Sequence, residues 1–312
     1  MNTHLRVAVC TNRHPSAVAE AVSALDGQVG GGSLALVLSG VPAGGEAAYR
    51  DAFPALVLLC EPRPGLSRAR NRALAWAAED GADVLGFVDD DAVVEPGWLD
   101  SLSARWDEAP PEVACIGGPI RPRYAVPPPP WFSDGIAHVL TLLDRGGEVR
   151  DLDPSLEAVY GANISFRVEP LRLVGGFDPA LGHSAGRVWF AEEDEAQRAL
   201  ARLGFGVRYV PDAAVEHVIP AERLTRASFV RRRFWFGAAL GLRGGRKPAP
   251  AARQALVSGA GALTAALARR DALAMERLVR SAENLGVLAA PLVTRRPRPA
   301  AAYASTNPRR IA

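Results

Sequence analysis

Short apolar runs alternate with helical stretches through the first third of this chain, and that alternation limits the possible folds more than any other feature. Strands are expected at residues 6–10, 33–38, 55–59 and 83–88, with helices at 15–25 and 67–79 between them. A pattern of this kind predicts an α/β fold with a Rossmann-like, mostly parallel central sheet flanked by helices. Such sheets bind ligands beyond the carboxyl ends of their strands. A helix at 96–106 and a strand at 113–117 continue the rhythm, and Pro127 to Pro130 then reads as a stiff connector. Residues 131–155 look loop-rich, as a lid or an irregular insertion, and beyond residue 222 the pattern is helical. With 312 residues, 48% of them hydrophobic, one large core with an appendage is within reach.

Charge is unevenly distributed. The net charge is only +2, yet residues 222–312 carry 18 basic and 4 acidic side chains while residues 1–221 carry 18 and 30. The basic part suits anionic lipid, nucleic acid or a phosphorylated substrate, or simply solvated helix faces. No nucleic-acid reader fold is recognisable among its arginines, so nucleic acid is not expected. Cys10, Cys60 and Cys115 are isolated and odd in number, which suggests neither a disulfide framework nor a zinc knuckle. The start of the chain enters a strand with no signal-peptide pattern. The stretch 254–268 is too short and too rich in Ala and Gly for a bilayer span of roughly 20 apolar residues. A cytoplasmic protein is expected, with peripheral contact at the inner face of the membrane as an option for the basic part.

Two acidic clusters carry the chemistry. The strand ending at Val88 runs into Asp89, Asp90 and Asp91, and like charges there call for a hard divalent cation brought in with a phosphate ligand, or else cap the next helix. The second cluster opens a helix with Glu192, Glu193, Asp194 and Glu195. A helix N-terminus favours one or two acids electrostatically, but four exceed that need. If this turn faces the triple Asp, one of its carboxylates can act as a general base on an acceptor hydroxyl.

Thr11-Asn12-Arg13 after the first strand, Gly65 to Asn71, Phe87 to Asp91 with Glu95 to Leu99, Tyr160 to Phe166, Val174 to Asp178, Glu192-Glu193, and Tyr209 to His217 follow one another in order, with Ile219 to Arg226 and Arg231 to Gly237 behind them. These ordered motifs resemble family 2 of the inverting, GT-A type glycosyltransferases, in its bacterial members. The match runs from residue 5 to about 240. It implies a GT-A catalytic domain at 1–240; outside the match, the helical pattern gives a C-terminal extension at 241–291, and the composition of 292–312 reads as a disordered Pro/Arg/Ala tail. It further implies that Thr11, Asn12, Arg13, Arg68, Arg70 and Asn71 lie along the nucleotide, ribose and diphosphate. Asp89, Asp90 and Asp91 match the DXD signature, with Asp91 at Mg²⁺ or Mn²⁺, Asp89 nearer the sugar nucleotide or also on the metal, and His217 as a further metal contact. Gly161, Ala162 and Asn163 would line the donor sugar, Glu193 would be the base, and Glu192 and Asp194 are its competitors. Trp131 and Trp189 would be either sugar-stacking or buried.

The resemblance thus implies a nucleotide-sugar-dependent hexosyltransferase of polysaccharide or glycoconjugate biosynthesis. Its donor would be a nucleotide diphosphate sugar, and its acceptor a saccharide, a lipid-linked saccharide or a small molecule. Two departures stand out: Glu where relatives carry Asp at position 193, and Ser39 where many carry an acid that reads the nucleobase. The region 131–155, including Asp144 and Arg145, is a candidate for acceptor docking. A nucleotidyl or phosphoryl transferase on a related sheet, and a non-catalytic sugar-nucleotide-binding protein, remain as alternatives at this point.

Overall fold

The computed structural model describes residues 3–42, 44–181, 192–242 and 247–293. Its first half follows the expected rhythm: β1 (Leu5–Thr11), α1 (Pro15–Val29), β2 (Leu34–Ser39), α2 (Ala47–Ala52), β3 (Val57–Glu61), α3 (Leu66–Glu79) and β4 (Val84–Asp89). Local chemistry accounts for these elements. Pro15 opens α1, where its missing N–H costs nothing, and Val18, Ala21, Val22 and Leu25 recur at helical spacing on its buried face. The apolar runs of β2 and β4 are buried on both faces, as strands of a sheet covered on two sides must be.

The chain continues through β5 (Ala92–Val94), α4 (Trp98–Glu108), β6 (Val113–Gly117), β7 (Ile120–Tyr124), β8 (Arg150–Leu152), β9 (Asn163–Arg167) and α5 (Val168–Leu173). After α6 (Glu192–Arg202), β10 (Gly206–Tyr209) and β11 (Val215–Ile219) it ends in α7 (Arg226–Leu242), α8 (Pro248–Leu267) and α9 (Asp271–Val293). The main sheet has the order β3-β2-β1-β4-β9-β6-β10-β8. The first four strands in that order are parallel, whereas β9 runs against both its neighbours and β8 against β10. A second small sheet, β5-β11-β7, stands beside it. Helix α4 is pinned to the main sheet through indoles: Trp98 donates to Asn163 Oδ1 and Trp106 to Ser165 Oγ, both bonds buried.

Residues 131–155 are not a free lid. A 3-10 turn at Asp134–Leu140 buries Ile136, Val139 and Leu140 with Trp131, Phe229, Met275 and Val279 in a second apolar cluster. Trp131 is therefore core, its ring 5.2 Å edge-on from Phe229, and has no open face for a sugar. Trp189 falls outside the described residues. Helices α7 and α8 both pack on α9, and α7 and α9 approach until backbones touch. A Cβ on Gly286 would stand 1.9 Å from Phe234 O, and one on Gly237 1.8 Å from Glu283 O. Residue 240 lies within α7, and α9 extends through residue 293. Residues 294–312, most of the expected tail, are outside the described part. Cys10, Cys60 and Cys115 are free thiols.

Candidate active site

Because β1 to β4 run parallel, Thr11, Ser39, Glu61 and Asp89 finish at one edge of the sheet, with Cys10 beside Asp89 and Ser39 beside Glu61 in register. The loop after β4 carries Asp90 and Asp91 into β5, and pairing of β5 with β11 sets Ala92 opposite His217. Chain topology alone thus brings residues 89–91 and 217 to one place.

Arg70 is the hub beneath them. Only 2% exposed, it donates to Glu192 Oε1 at 2.7 Å and lies 3.6 Å from Glu193 Oε2 and 3.5 Å from Asp89 Oδ1. Its guanidinium also stacks 5.7 and 5.6 Å from the ring centres of Phe87 and Phe177. Gly161 is small for this reason, since a Cβ there would meet Arg70 Nη2 at 2.2 Å. Burial disfavours charge on Arg70, yet Glu192, Glu193 and Asp89 outweigh it and hold the group firmly cationic. Arg70 is thus a buried counter-charge for three acids, not an open contact for diphosphate. Burial pushes the Asp89 carboxyl up to about 6, Arg70 opposing and Asp91 adding to the rise. Glu192 is raised as well, first by burial and then by the charge of Glu193, against Arg70.

Other expected ligand contacts turn inward. Asn71 donates its amide to Phe177 O and accepts from Phe177 N, tying α3 to the turn after α5. Asn163 accepts from Trp98 and donates to Pro119 O and Ala213 O, and Ala162 is fully buried. Asn71 and Asn163 thus make their side-chain hydrogen bonds inside the fold. Ser39 exchanges bonds with the Gly65 backbone. Thr11 donates to Asp90 Oδ2, and Arg13 Nη1 stands 3.5 Å from Asp90 Oδ1, while Asn12 and Arg13 are exposed. Arg68, half-buried on α3, makes no hydrogen bond or ion pair among the described residues.

Asp91 Oδ1 lies 3.2 Å from His217 Nε2, and Arg223 spans the two, with Nη2 donating to Asp91 Oδ2 at 2.8 Å and Nη1 lying 2.9 Å from His217 Nε2. Burial opposes charge on Asp91, but the hydrogen bond and charge of His217, then Arg223 and Arg13, hold it well below the usual carboxylate range. His217 is frustrated. Its Nε2 cannot donate to Asp91 and accept from Arg223 at once, and its buried Nδ1 has no partner. A divalent cation taking the imidazole lone pair together with the Asp91 carboxylate would relieve that conflict, so this donor pair fits one. Among the described residues no group of three or more His, Cys, Asp or Glu has metal-holding geometry. Further ligands to such a cation would have to come from the substrate and water.

The first turn of α6 is placed by Gln197, which is fully buried and exchanges hydrogen bonds with Val159 N and O while also donating to Glu193 O. Its acids then diverge. Glu192 is locked to Arg70, and Glu195 pairs with Arg202. Glu193 and Asp194 line a cavity of about 450 Å³. Glu193 Oε1 accepts from Gly161 N at 3.3 Å, and its buried Oε2 has no hydrogen-bond partner. Asp194 Oδ2 lies 3.9 Å from Arg198. The sequence assigned no role to Arg223 or Arg232, although both lie in segments, 219–226 and 231–237, that resemble the end of the family's catalytic domain.

A parallel half-sheet whose strand ends carry Asp89, Asp90 and Asp91, faced by a helix that opens in carboxylates, is the arrangement of a GT-A type fold. Residues 47–171 match the family described as Glycosyl transferase family 2. It is 30% identical over 174 residues to the glucosyl-dolichyl phosphate glucuronosyltransferase of Haloferax volcanii, 54% of each chain. It is also 30% identical over 188 residues to the succinoglycan biosynthesis protein ExoM of Rhizobium meliloti, 59% of this chain and 54% of that one. The chain spans about half the length of these curated relatives. The fold is similar to that of a mannosyltransferase from Pyrobaculum calidifontis in complex with GDP-Man and Mn²⁺ (TM-score 0.56, 20% identity, 94% of this chain and 75% of that one). It also resembles GalNAc-T7 with UDP, GalNAc and Mn²⁺ (TM-score 0.51, 14% identity, 77% and 51%).

Proposed function

We propose that the protein moves a sugar from a nucleotide diphosphate sugar to an acceptor hydroxyl with inversion at the anomeric carbon. The observation that carries this reading is Glu193, which lines a cavity, has no hydrogen-bond partner at its buried Oε2 and stands 3.6 Å from Arg70, itself 3.5 Å from Asp89 at the strand ends. Glu193 takes the proton of the acceptor hydroxyl, whose oxygen bonds to the anomeric carbon as the bond to the diphosphate breaks and the nucleoside diphosphate departs. Arg70 holds Glu193 in place from beneath. Asp91 and His217 would hold Mg²⁺ or Mn²⁺ once Arg223 releases them, and Arg13 and Arg68 lie on the diphosphate side. When bound, the ion supplies Lewis-acid stabilisation of the charge that develops on the leaving diphosphate. Small residues along 161–162 leave room for Arg70, so donor-sugar selectivity is assigned to the surface formed by Asp89, Asp90 and the start of α6.

The basic C-terminal part is assigned to peripheral contact with an anionic membrane. In its support, Leu256, Leu263 and Leu267 are 75, 69 and 86% exposed at helical spacing on α8, with the exposed Arg253, Arg269 and Arg270 near them. Among the described residues no helix is long and apolar enough to cross a membrane.

The test is a melting screen of UDP, GDP and TDP with and without Mn²⁺, on wild type and Asp91→Ala, together with turnover of Glu193→Gln. One diphosphate should raise the melting temperature with metal and fail on Asp91→Ala, because a ligand selective for the native state stabilises it. Glu193→Gln should keep that shift and lose turnover by about 100-fold or more. Absence of any nucleotide shift would sink the reading.

A further inference from the structure

The cavity in front of Glu193 is unusually rich in guanidinium groups. Arg145 reaches it from the loop after the 3-10 turn, Arg198 from α6, and Arg232 and Arg233 from α7, with Glu157, Glu193 and Asp194 the carboxylates in its lining. Arg233 is taken up by Glu283 of α9. Arg145 pairs with Glu157 and donates to Ala158 O, yet its Nε is buried with no partner. Arg198 approaches Asp194 loosely, at 3.9 Å. Arg232 donates Nε to Val139 O. Burial and then the like charge of Arg223 depress its guanidinium to about 10, with Asp91 opposing. At the rim Leu156, 84% exposed, adds an apolar contact.

We propose that this cavity seats an acceptor bearing a phosphate group, held by Arg145, Arg198 and Arg232 with its hydroxyl toward Glu193. Guanidinium forks match phosphate oxygens, and three of them from separate elements define a position rather than a diffuse attraction. The inference rests on the sugar-transfer reading with Glu193 as base. It specifies the acceptor's chemistry, which can come from a soluble phosphate ester or from a lipid phosphate.

The experiment is titration calorimetry of the full chain with inorganic phosphate, with dodecyl phosphate below its micellar concentration, and with dodecyl maltoside as the neutral probe. Both phosphates should bind, with at least a tenfold loss in Arg232→Gln and in Arg198→Gln, while Arg172→Gln, exposed on α5 and paired with Glu169, leaves binding unchanged. The charge-balanced pair Arg145→Gln with Glu157→Gln should show the same loss, and melting curves confirm that each variant is folded. Equal affinities for the two phosphates would assign the site to a soluble phosphate, and tighter dodecyl phosphate binding to a lipid phosphate. Phosphate binding that ignores these arginines, no phosphate binding at all, or equal binding of the maltoside would overturn the proposal. If a nucleoside diphosphate still raises the melting temperature in that case, the sugar-transfer reading stands and only the acceptor assignment falls. Phosphate binding of the expected pattern without any nucleotide shift would uphold the phosphate site and bring down the sugar-transfer reading instead.

Discussion

Arg70 settles most of what happens at the scale of single residues. It neutralises Glu192, Glu193 and Asp89 while shielded from water, so removing it strands buried carboxylates. Arg70→Met is expected to cost about 3–5 kcal/mol of stability, read as a lowered urea midpoint. Glu192 behaves oppositely. Its folded-state pKa stands above the unfolded value, so the folded protein retains a proton that the unfolded chain releases. The stability contributed by that proton is full at low pH and is lost as pH rises toward the folded pKa. Glu192→Gln, which cannot ionise, should therefore gain stability relative to wild type as the pH is raised from about 5 to about 8. A flat difference between the two proteins across that range would contradict the raised pKa. The position of Asp89 to Asp91 at a strand end was legible in the sequence, as was the acid-rich helix start. The inward bonds of Asn71 and Asn163 were not, because their partners Phe177 and Ala213 lie 106 and 50 residues away.

Among the elements, the long periodic ones were legible and the short ones were not. The boundaries of β1, α3, β4 and β6 fall within one or two residues of their expected positions, since buried apolar runs and helical spacing are local signals. By contrast β5 and β8 have three residues each, and β7 reads Ile-Arg-Pro-Arg-Tyr with Arg121 and Pro122 exposed. Pro122 is tolerated there because β7 is an edge strand of the small sheet, where one side needs no ladder. Nothing local announces such strands, yet one of them sets Ala92 beside His217. The close approach of α7 and α9 is equally non-local. Gly286→Val is expected to lower stability by about 1–3 kcal/mol, because a side chain there must push α9 off Phe234 O. Calorimetric melting of that variant against Gly259→Ala, where the nearest contact to an added Cβ is Ser281 Oγ at 3.4 Å, would separate backbone crowding from the loss of a helical glycine.

For the whole molecule, the division of charge gives the clearest expectation. A catalytic half rich in acids and a C-terminal part with 18 basic and 4 acidic residues should bind vesicles containing anionic lipid and release them as salt rises, since an electrostatic contact is screened within about 10 Å at 0.1 M. Leu263→Glu with Leu267→Glu should weaken sedimentation with such vesicles severalfold without altering nucleotide-dependent melting. Equal sedimentation of variant and wild type would remove α8 from the contact. Metal removal makes a separate prediction: chelation should abolish the nucleotide-induced melting shift and leave the melting temperature of the nucleotide-free protein within a few degrees, because Arg223 already compensates Asp91 in the absence of an ion.

By itself the sequence determined the α/β class, the parallel half of the sheet and the two acidic clusters, since these depend on periodicity and on residue types close together in the chain. Tertiary structure alone decided which acids line the cavity. Glu192, Glu193 and Asp194 are adjacent in sequence and similar in chemistry, but α6 turns Glu192 into Arg70 and sets Glu193 and Asp194 at the cavity. It also decided that Arg223 covers the Asp91–His217 pair, that Trp131 is core, and that arginines from three separate elements meet in front of Glu193. Those outcomes depend on packing between segments far apart in the chain, where the direction of a side chain is set by what stands opposite it.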